Sequence, residues 1–144
     1  MRRTGIALSD PSGLLASPYA TIRAPSLRAQ WNELVALLSR LRDEDDGLDV
    51  IVVGVPVRLD GSPTDMTAQA RDLAARLEHA TGLPVVRLDE RLTSVEAESR
   101  LALTERDWRK RKDKLDAAAA AVLLQEYLDE RERTEERKDG RTEA

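Results

Sequence analysis

The pattern of apolar and polar positions changes period several times along the chain. Thr4 to Leu8 reads as a short strand: a β-branched residue, a glycine, then Ile6-Ala7-Leu8. Ser9-Asp10-Pro11-Ser12-Gly13 breaks it with turn chemistry. Residues 15–23 alternate loosely and predict a second strand, and Pro18 inside it points to an edge position. The short link predicts a hairpin. Ser26 is placed to cap a helix whose apolar positions are Leu27, Trp31, Leu34, Val35, Leu38 and Leu41. DVIVVGVPV is then a continuous β-branched run, the pattern of a strand buried on both faces in a parallel sheet. Thr64 or Asp65 caps the next helix, with Met66, Ala70, Leu73, Ala74 and Leu77 on its inner side. Thr81-Gly82-Leu83-Pro84 stops it. A strand at 85–88 follows, then a helix from Thr93 or Ser94 to about Leu103. A charged linker spans 104–114, and a final helix runs from about Leu115 to Glu130. The expected architecture is α/β: a mixed sheet, antiparallel early and parallel late, flanked by helices. Residues 1–130 form one domain. Residues 131–144 carry no core positions and predict a frayed helix or a flexible charged tail.

Composition narrows the function classes. The chain has 144 residues, enough for one core. It is 35% charged with a net charge of -4, which argues against a surface coated in positive charge for general nucleic-acid binding but leaves room for a local basic patch. No cysteine is present, so disulfides, zinc–thiolate sites and thiol catalysis are excluded. Its longest apolar runs, 50–57 and 117–124, are far too short to span a membrane. No apolar signal region follows Met1-Arg2-Arg3, so the expected compartment is the cytoplasm.

Four groups of residues are candidates for chemistry. Asp89-Glu90-Arg91 leaves the fourth strand at its carboxyl end, where open α/β sheets bind ligands. Neighbouring residues point different ways, so one carboxylate suffices to face a site. The plainer alternative is negative charge near the N-terminus of the next helix. Asp116, with Asp113, opens the last expected helix. Ala117, Ala120 and Ala121 are small enough to let that helix lie close to the sheet and carry the carboxylate with it. Helix capping and dipole complementation are the alternative there. Arg109, Lys110, Arg111, Lys112 and Lys114 put five cations in six positions, which suits phosphates or a solvated loop. Gly54, in Gly54-Val55-Pro56 with Asp60-Gly61 beyond, permits close approach of a ligand or of another backbone, strand-to-helix packing being the more usual reason, and Arg58 and Ser62 in the following loop can face substrate. The single histidine, His79, sits late in a helix as a surface side chain. Hydrolysis by carboxylates and a metal therefore fits better than a nucleophilic triad.

Taken in order, RRTGIALSDPSGLLASP, IVVGVPVRLDGS, LDERLTSVEA and KLDAAAAAVLLQEYL resemble the YqgF family, also called RuvX or Holliday-junction-resolvase-like. The resemblance covers residues 1–130. It implies an RNase-H-like fold and a metal-dependent nuclease that hydrolyses phosphodiester bonds of structured RNA in the 5′ maturation of pre-16S rRNA. Branched DNA, or RNA binding without catalysis in a transcription-associated relative, are the alternatives it leaves. Glu90 matches the glutamate of the family's DER motif, and Asp116 matches the aspartate opening its last helix. Both would bind Mg²⁺ or Mn²⁺, whose hard character suits carboxylate oxygens. Arg91 and the basic residues at 109–112 and 114 would position phosphates. The family's first strand, which carries an aspartate and then a glycine, has no counterpart before Arg2, and that strand would be central. A native chain starting upstream, a short form with a partial site and a non-catalytic relative are the three explanations. Asp10 is a conceivable substitute ligand at the far end of its strand. A monomer and a dimer fit the sequence equally.

Overall fold

The computed structural model describes residues 2–44, 46–91 and 105–143, with side chains described for 3–44, 46–91 and 116–137. Its elements are β1 (Arg2–Ser9), β2 (Ala16–Ala24), α1 (Leu27–Asp43), β3 (Ile51–Val57), α2 (Asp65–Thr81), β4 (Val85–Arg91) and a long α3 (Glu105–Glu143). This is the expected mixed α/β order. The helix expected over 93–103 lies outside the described residues.

β1 pairs antiparallel with β2, and β3 pairs parallel with β4. Both directions are as expected, but the described strands form two two-stranded sheets and not one mixed sheet. The local connections account for each pair: a hairpin joins β1 to β2, and a helix joins β3 to β4. Register slips between Ile6 and Ala7, which face Ala20 and Pro18, so Tyr19 is the extra residue of a bulge. Proline has no amide proton for the ladder, and a bulge beside it relieves the loss.

The last helix departs from expectation. Residues 104–114 were expected as a linker, yet the chain is helical from Glu105. Residues 105–114 contain no glycine or proline, and Arg, Lys and Glu are good helix formers. Charge alone does not end a helix. The helix also continues through 131–143, the segment expected as a frayed helix or tail. Arg131 to Arg137 are all exposed there. Arg131–Glu135 at 3.5 Å and Arg133–Glu130 at 3.8 Å are surface ion pairs along it.

The chain forms two compact units: Met1–Leu37 with Lys112–Ala144, and Leu38–Arg111. The first has a core of Ile22, Ala24, Leu34, Leu37, Ala117 and Leu128. Its organising contact is at Gly5, where an ideal Cβ would lie 2.0 Å from the Asp116 carbonyl oxygen and 2.9 Å from the Ala117 nitrogen. The backbone of α3 therefore lies directly on the backbone of β1. Farther along α3, the Gln125 amide donates to the Leu14 carbonyl at 2.9 Å, and its oxygen accepts from the Ala16 amide at 2.9 Å. That one side chain fastens the start of β2 to the helix. The Gln30 amide donates to the Thr4 hydroxyl and ties α1 to β1. Ser26 caps α1 as expected, accepting from the Ala29 amide at 3.2 Å. Leu27, expected on the inner side, is 53% exposed, while Leu37 is buried in its place.

Within the second unit, Val55, Val57, Ala74, Leu77 and Val85 form the core with Leu38 and Leu41. Thr64 caps α2, accepting from the Met66 amide, and the Thr67 hydroxyl accepts from the Thr64 amide at 2.7 Å. Thr67 is itself buried and donates to the Pro56 carbonyl at 2.5 Å, joining α2 to β3. Met66, expected inside, is exposed. Gly82 closes α2 in the left-handed region at φ 71°, as the sequence predicts.

Two outcomes follow from the first unit. Gly5→Ala forces backbone against backbone and should cost about 2–3 kcal/mol of stability, read by urea unfolding. In the hairpin loop, the Asp10 carboxylate accepts from the Leu14 and Leu15 amides at 2.9 Å and from the Ser12 hydroxyl. The Leu15 amide, then the Ser12 hydroxyl, hold its carboxyl below the ordinary 3.8, at about 2. A lowered folded value means the loop's stabilisation is complete above about pH 4 and lost as pH falls through about 2. Carboxyl NMR should find Asp10 titrating near 2, and Asp10→Asn should remove that part of the acid dependence.

Candidate active site

Two carboxylates remain the centre of interest, one in each unit. Asp116 lies eleven positions into α3, about three turns from its start. Capping and dipole complementation, the plainer readings of Asp116, act only in the first turn of a helix. The structure removes both. What fixes Asp116 is the close approach of its own peptide group to Gly5. Ala117, beside it, is 6% exposed and fills the contact. This is the close packing that the run of small residues predicts.

Arg3 faces the Asp116 carboxylate. Its Nη1 lies 3.4 Å from Oδ2, and the two side chains are 25% and 27% exposed. Both facing atoms are nonetheless shielded from solvent. The contact is an ion pair without hydrogen-bond geometry at Nη1. The sequence reading left Arg3 out. A signal was available: residues 3 and 5 of a strand share one face, so whatever lies on Gly5 also reaches Arg3.

Glu90 sits at the carboxyl end of β4, level with Pro56 of β3. Exposure alternates along β4: Arg87, Asp89 and Arg91 are exposed, while Leu88 and Glu90 are half-buried. The pleat therefore separates the two neighbouring carboxylates, placing Glu90 on the more sheltered face with Leu88 and Asp89 on the other. Arg91 turns back onto the loop after β3. Its Nη1 donates to the Leu59 carbonyl at 3.3 Å, and its Nη2 lies 3.2 Å from where a Cβ on Gly61 would stand. Gly61 has φ 83°, so the turn itself also favours glycine there. The Asp60 carboxylate accepts from the Ser62 amide at 2.9 Å and its hydroxyl at 2.6 Å. The Ser62 hydroxyl, first, and amide hold the Asp60 carboxyl below its ordinary value. Asp60, Gly61 and Ser62 are thus occupied in shaping a tight loop.

Other candidates fare differently. Arg109, Lys110, Arg111, Lys112 and Lys114 fall on α3 and not on a loop; their side chains, with those of Trp108 and Asp113, lie outside the described residues. Asp10, the conceivable substitute ligand, is engaged with three donors of its own turn. His79 is exposed, as expected. Among the described residues no group of three or more His, Cys, Asp or Glu is arranged to hold a metal, and no helix is long and apolar enough to cross a membrane.

Comparison with known proteins gives a consistent picture. A family described as RuvX, Holliday junction resolvase, matches residues 1–130. A protein of Maridesulfovibrio salexigens is 38% identical over 127 residues, covering 88% of this chain and 90% of its own length. One from Koribacter versatilis is 40% identical over 130 residues, covering 90% of this chain and 82% of its own length. A Picosynechococcus protein is 38% identical over 131 residues, 91% of this chain and 88% of its own. Each of the three bears the name "Putative pre-16S rRNA nuclease". A match over 130 residues, with identity of this order across most of both partners, establishes that the chain belongs to the RuvX family.

Proposed function

We propose that this chain is a metal-dependent nuclease that hydrolyses phosphodiester bonds of structured RNA in the cytoplasm, acting on the pre-16S rRNA precursor. The observation that carries this is Asp116: a carboxylate set inside a helix, pinned by its own backbone to β1, with a cation against its shielded oxygen. Neither capping nor core packing explains an acid there. The relatives' shared name supplies the substrate class.

The donor set fits a hard divalent cation. Asp116 already holds positive charge at Oδ2, and Glu90 presents carboxylate oxygens at a strand end, where α/β folds bind ligands. Each would offer its oxygens to Mg²⁺ or Mn²⁺, an ion that would supply charge stabilisation to a phosphodiester under attack. The chain's own groups do the rest. Gly5 fixes where Asp116 stands, and the pleat of β4 sets Glu90 apart from Asp89. Arg91 holds the loop after β3 and, being exposed, keeps donors for a phosphate. The cations at 109–112 and 114 supply backbone affinity without sequence preference.

The family's description supports a second substrate, a branched DNA junction. The same experiment separates the two. Purified protein with Mn²⁺ is given a pre-16S rRNA fragment or a four-way DNA junction of matched length. We expect cleavage of the RNA. Glu90→Gln and Asp116→Asn should each lower the rate by roughly a hundredfold or more while leaving thermal melting close to wild type. Wild-type rates in both variants would overturn the site assignment, and cleavage confined to the junction would move the substrate to DNA.

A further inference from the structure

The ion pair between Arg3 and Asp116 is left unexplained by the reading above. A nuclease carboxylate that loads a metal gains nothing obvious from an arginine against the same oxygen. Three features show that the contact is built into the unit. Arg3 lies two residues before Gly5 on the same face of β1, so the close approach that fixes Asp116 also fixes its distance from Arg3. The facing atoms, Nη1 and Oδ2, are both shielded from solvent, whereas the ion pairs farther along α3 join exposed side chains. The guanidinium also meets the carboxylate at 3.4 Å, an approach of opposite charges with no hydrogen bond from Nη1 itself. A divalent cation competes for the same oxygen.

We propose that Arg3 is a built-in counter-ion of Asp116 that a divalent cation must displace in order to load. The proposal rests on the reading of Asp116 as a metal-holding residue. With no metal, the arginine neutralises a shielded carboxylate that would otherwise repel a polyanionic substrate. On loading, the divalent ion takes over that neutralisation, and the guanidinium swings away through the quarter of its surface that is open. The cost of separating the pair is then subtracted from metal affinity, as in any equilibrium where the binding-competent form is a fraction of the whole. Arg3 is a positioning residue in this scheme: it sets the metal threshold of the site and takes no part in bond breaking.

Mn²⁺ affinity, measured on the full chain by electron paramagnetic resonance of the free ion, tests this without reference to cleavage. Arg3→Gln removes the competing charge and should tighten Mn²⁺ binding about three- to tenfold. Asp116→Asn should weaken it. Equal or weaker binding in Arg3→Gln, with binding still lost in Asp116→Asn, overturns the counter-ion proposal and leaves the metal site standing. Unchanged binding in Asp116→Asn overturns the metal reading and the proposal together. Should Arg3→Gln fail to fold, the unmutated chain decides: saturating Mg²⁺ should shift the Arg3 Nε–H NMR resonance along with the Asp116 amide. An Arg3 signal that stays still while Asp116 moves overturns the proposal.

Discussion

The first unit is organised by one close approach. A hydrogen atom at residue 5 lets the peptide between Asp116 and Ala117 rest on β1, where any side chain would collide. Helices usually pack on sheets through interdigitating side chains. Backbone-on-backbone contact brings the first atoms of the neighbouring side chains together as well. It seats Ala117 in the core and sets Asp116 opposite Arg3. Nine residues farther along the same helix, Gln125 reaches the hairpin. The two points of contact support each other: Gly5 fixes the helix at the middle of β1, and Gln125 fixes it at the hairpin loop and the start of β2.

The second unit uses a different device for a similar purpose. Its acidic candidate is selected by the period of a strand. Asp89 and Glu90 are chemically near-equivalent neighbours, and only the pleat distinguishes them, giving shelter to one and solvent to the other. The polar residues of the loop after β3 bond to one another, and Arg91 is laid across them. Glycine at 61 leaves room for that guanidinium. Two scaffolds, a helix on a strand and a strand with a braced loop, thus each present one carboxylate.

Much of this is legible in the amino-acid order. The hairpin, the Ser26 and Thr64 caps, the glycine stop at 82 and the parallel pairing of β3 with β4 all follow from local chemistry and hydrophobic period. So does the role of Ala117, the small residue after Asp116. What sequence reading misses is tertiary. A run such as ERDWRKRKDK has the composition of a solvated loop and also of an exposed helix, and periodicity is silent when every position is polar. Leu27 and Met66 are apolar at the right spacing, yet each stands in the first turn of its helix, where the chain is still entering the core. Arg3 is legible only in part, through the strand face it shares with Gly5. Its partner is more than a hundred residues away, and only the strand–helix contact at Gly5 brings the two together.

The length of α3 has a consequence for how this protein comes apart. At 1.5 Å per residue its 39 residues extend about 58 Å, but only part of that length is packed. Ala117 and Leu128 are buried, while every described side chain from Arg131 onward faces solvent and is supported by little more than surface ion pairs. An isolated helix of that size is marginal in water, so the outer segment borrows its helicity from the packed turns before it. One continuous helix therefore carries a gradient of local stability. Its amides near Leu128 exchange with deuterium only when the unit opens as a whole, whereas those past Arg131 exchange by fraying, residue by residue, while the packed turns stay closed.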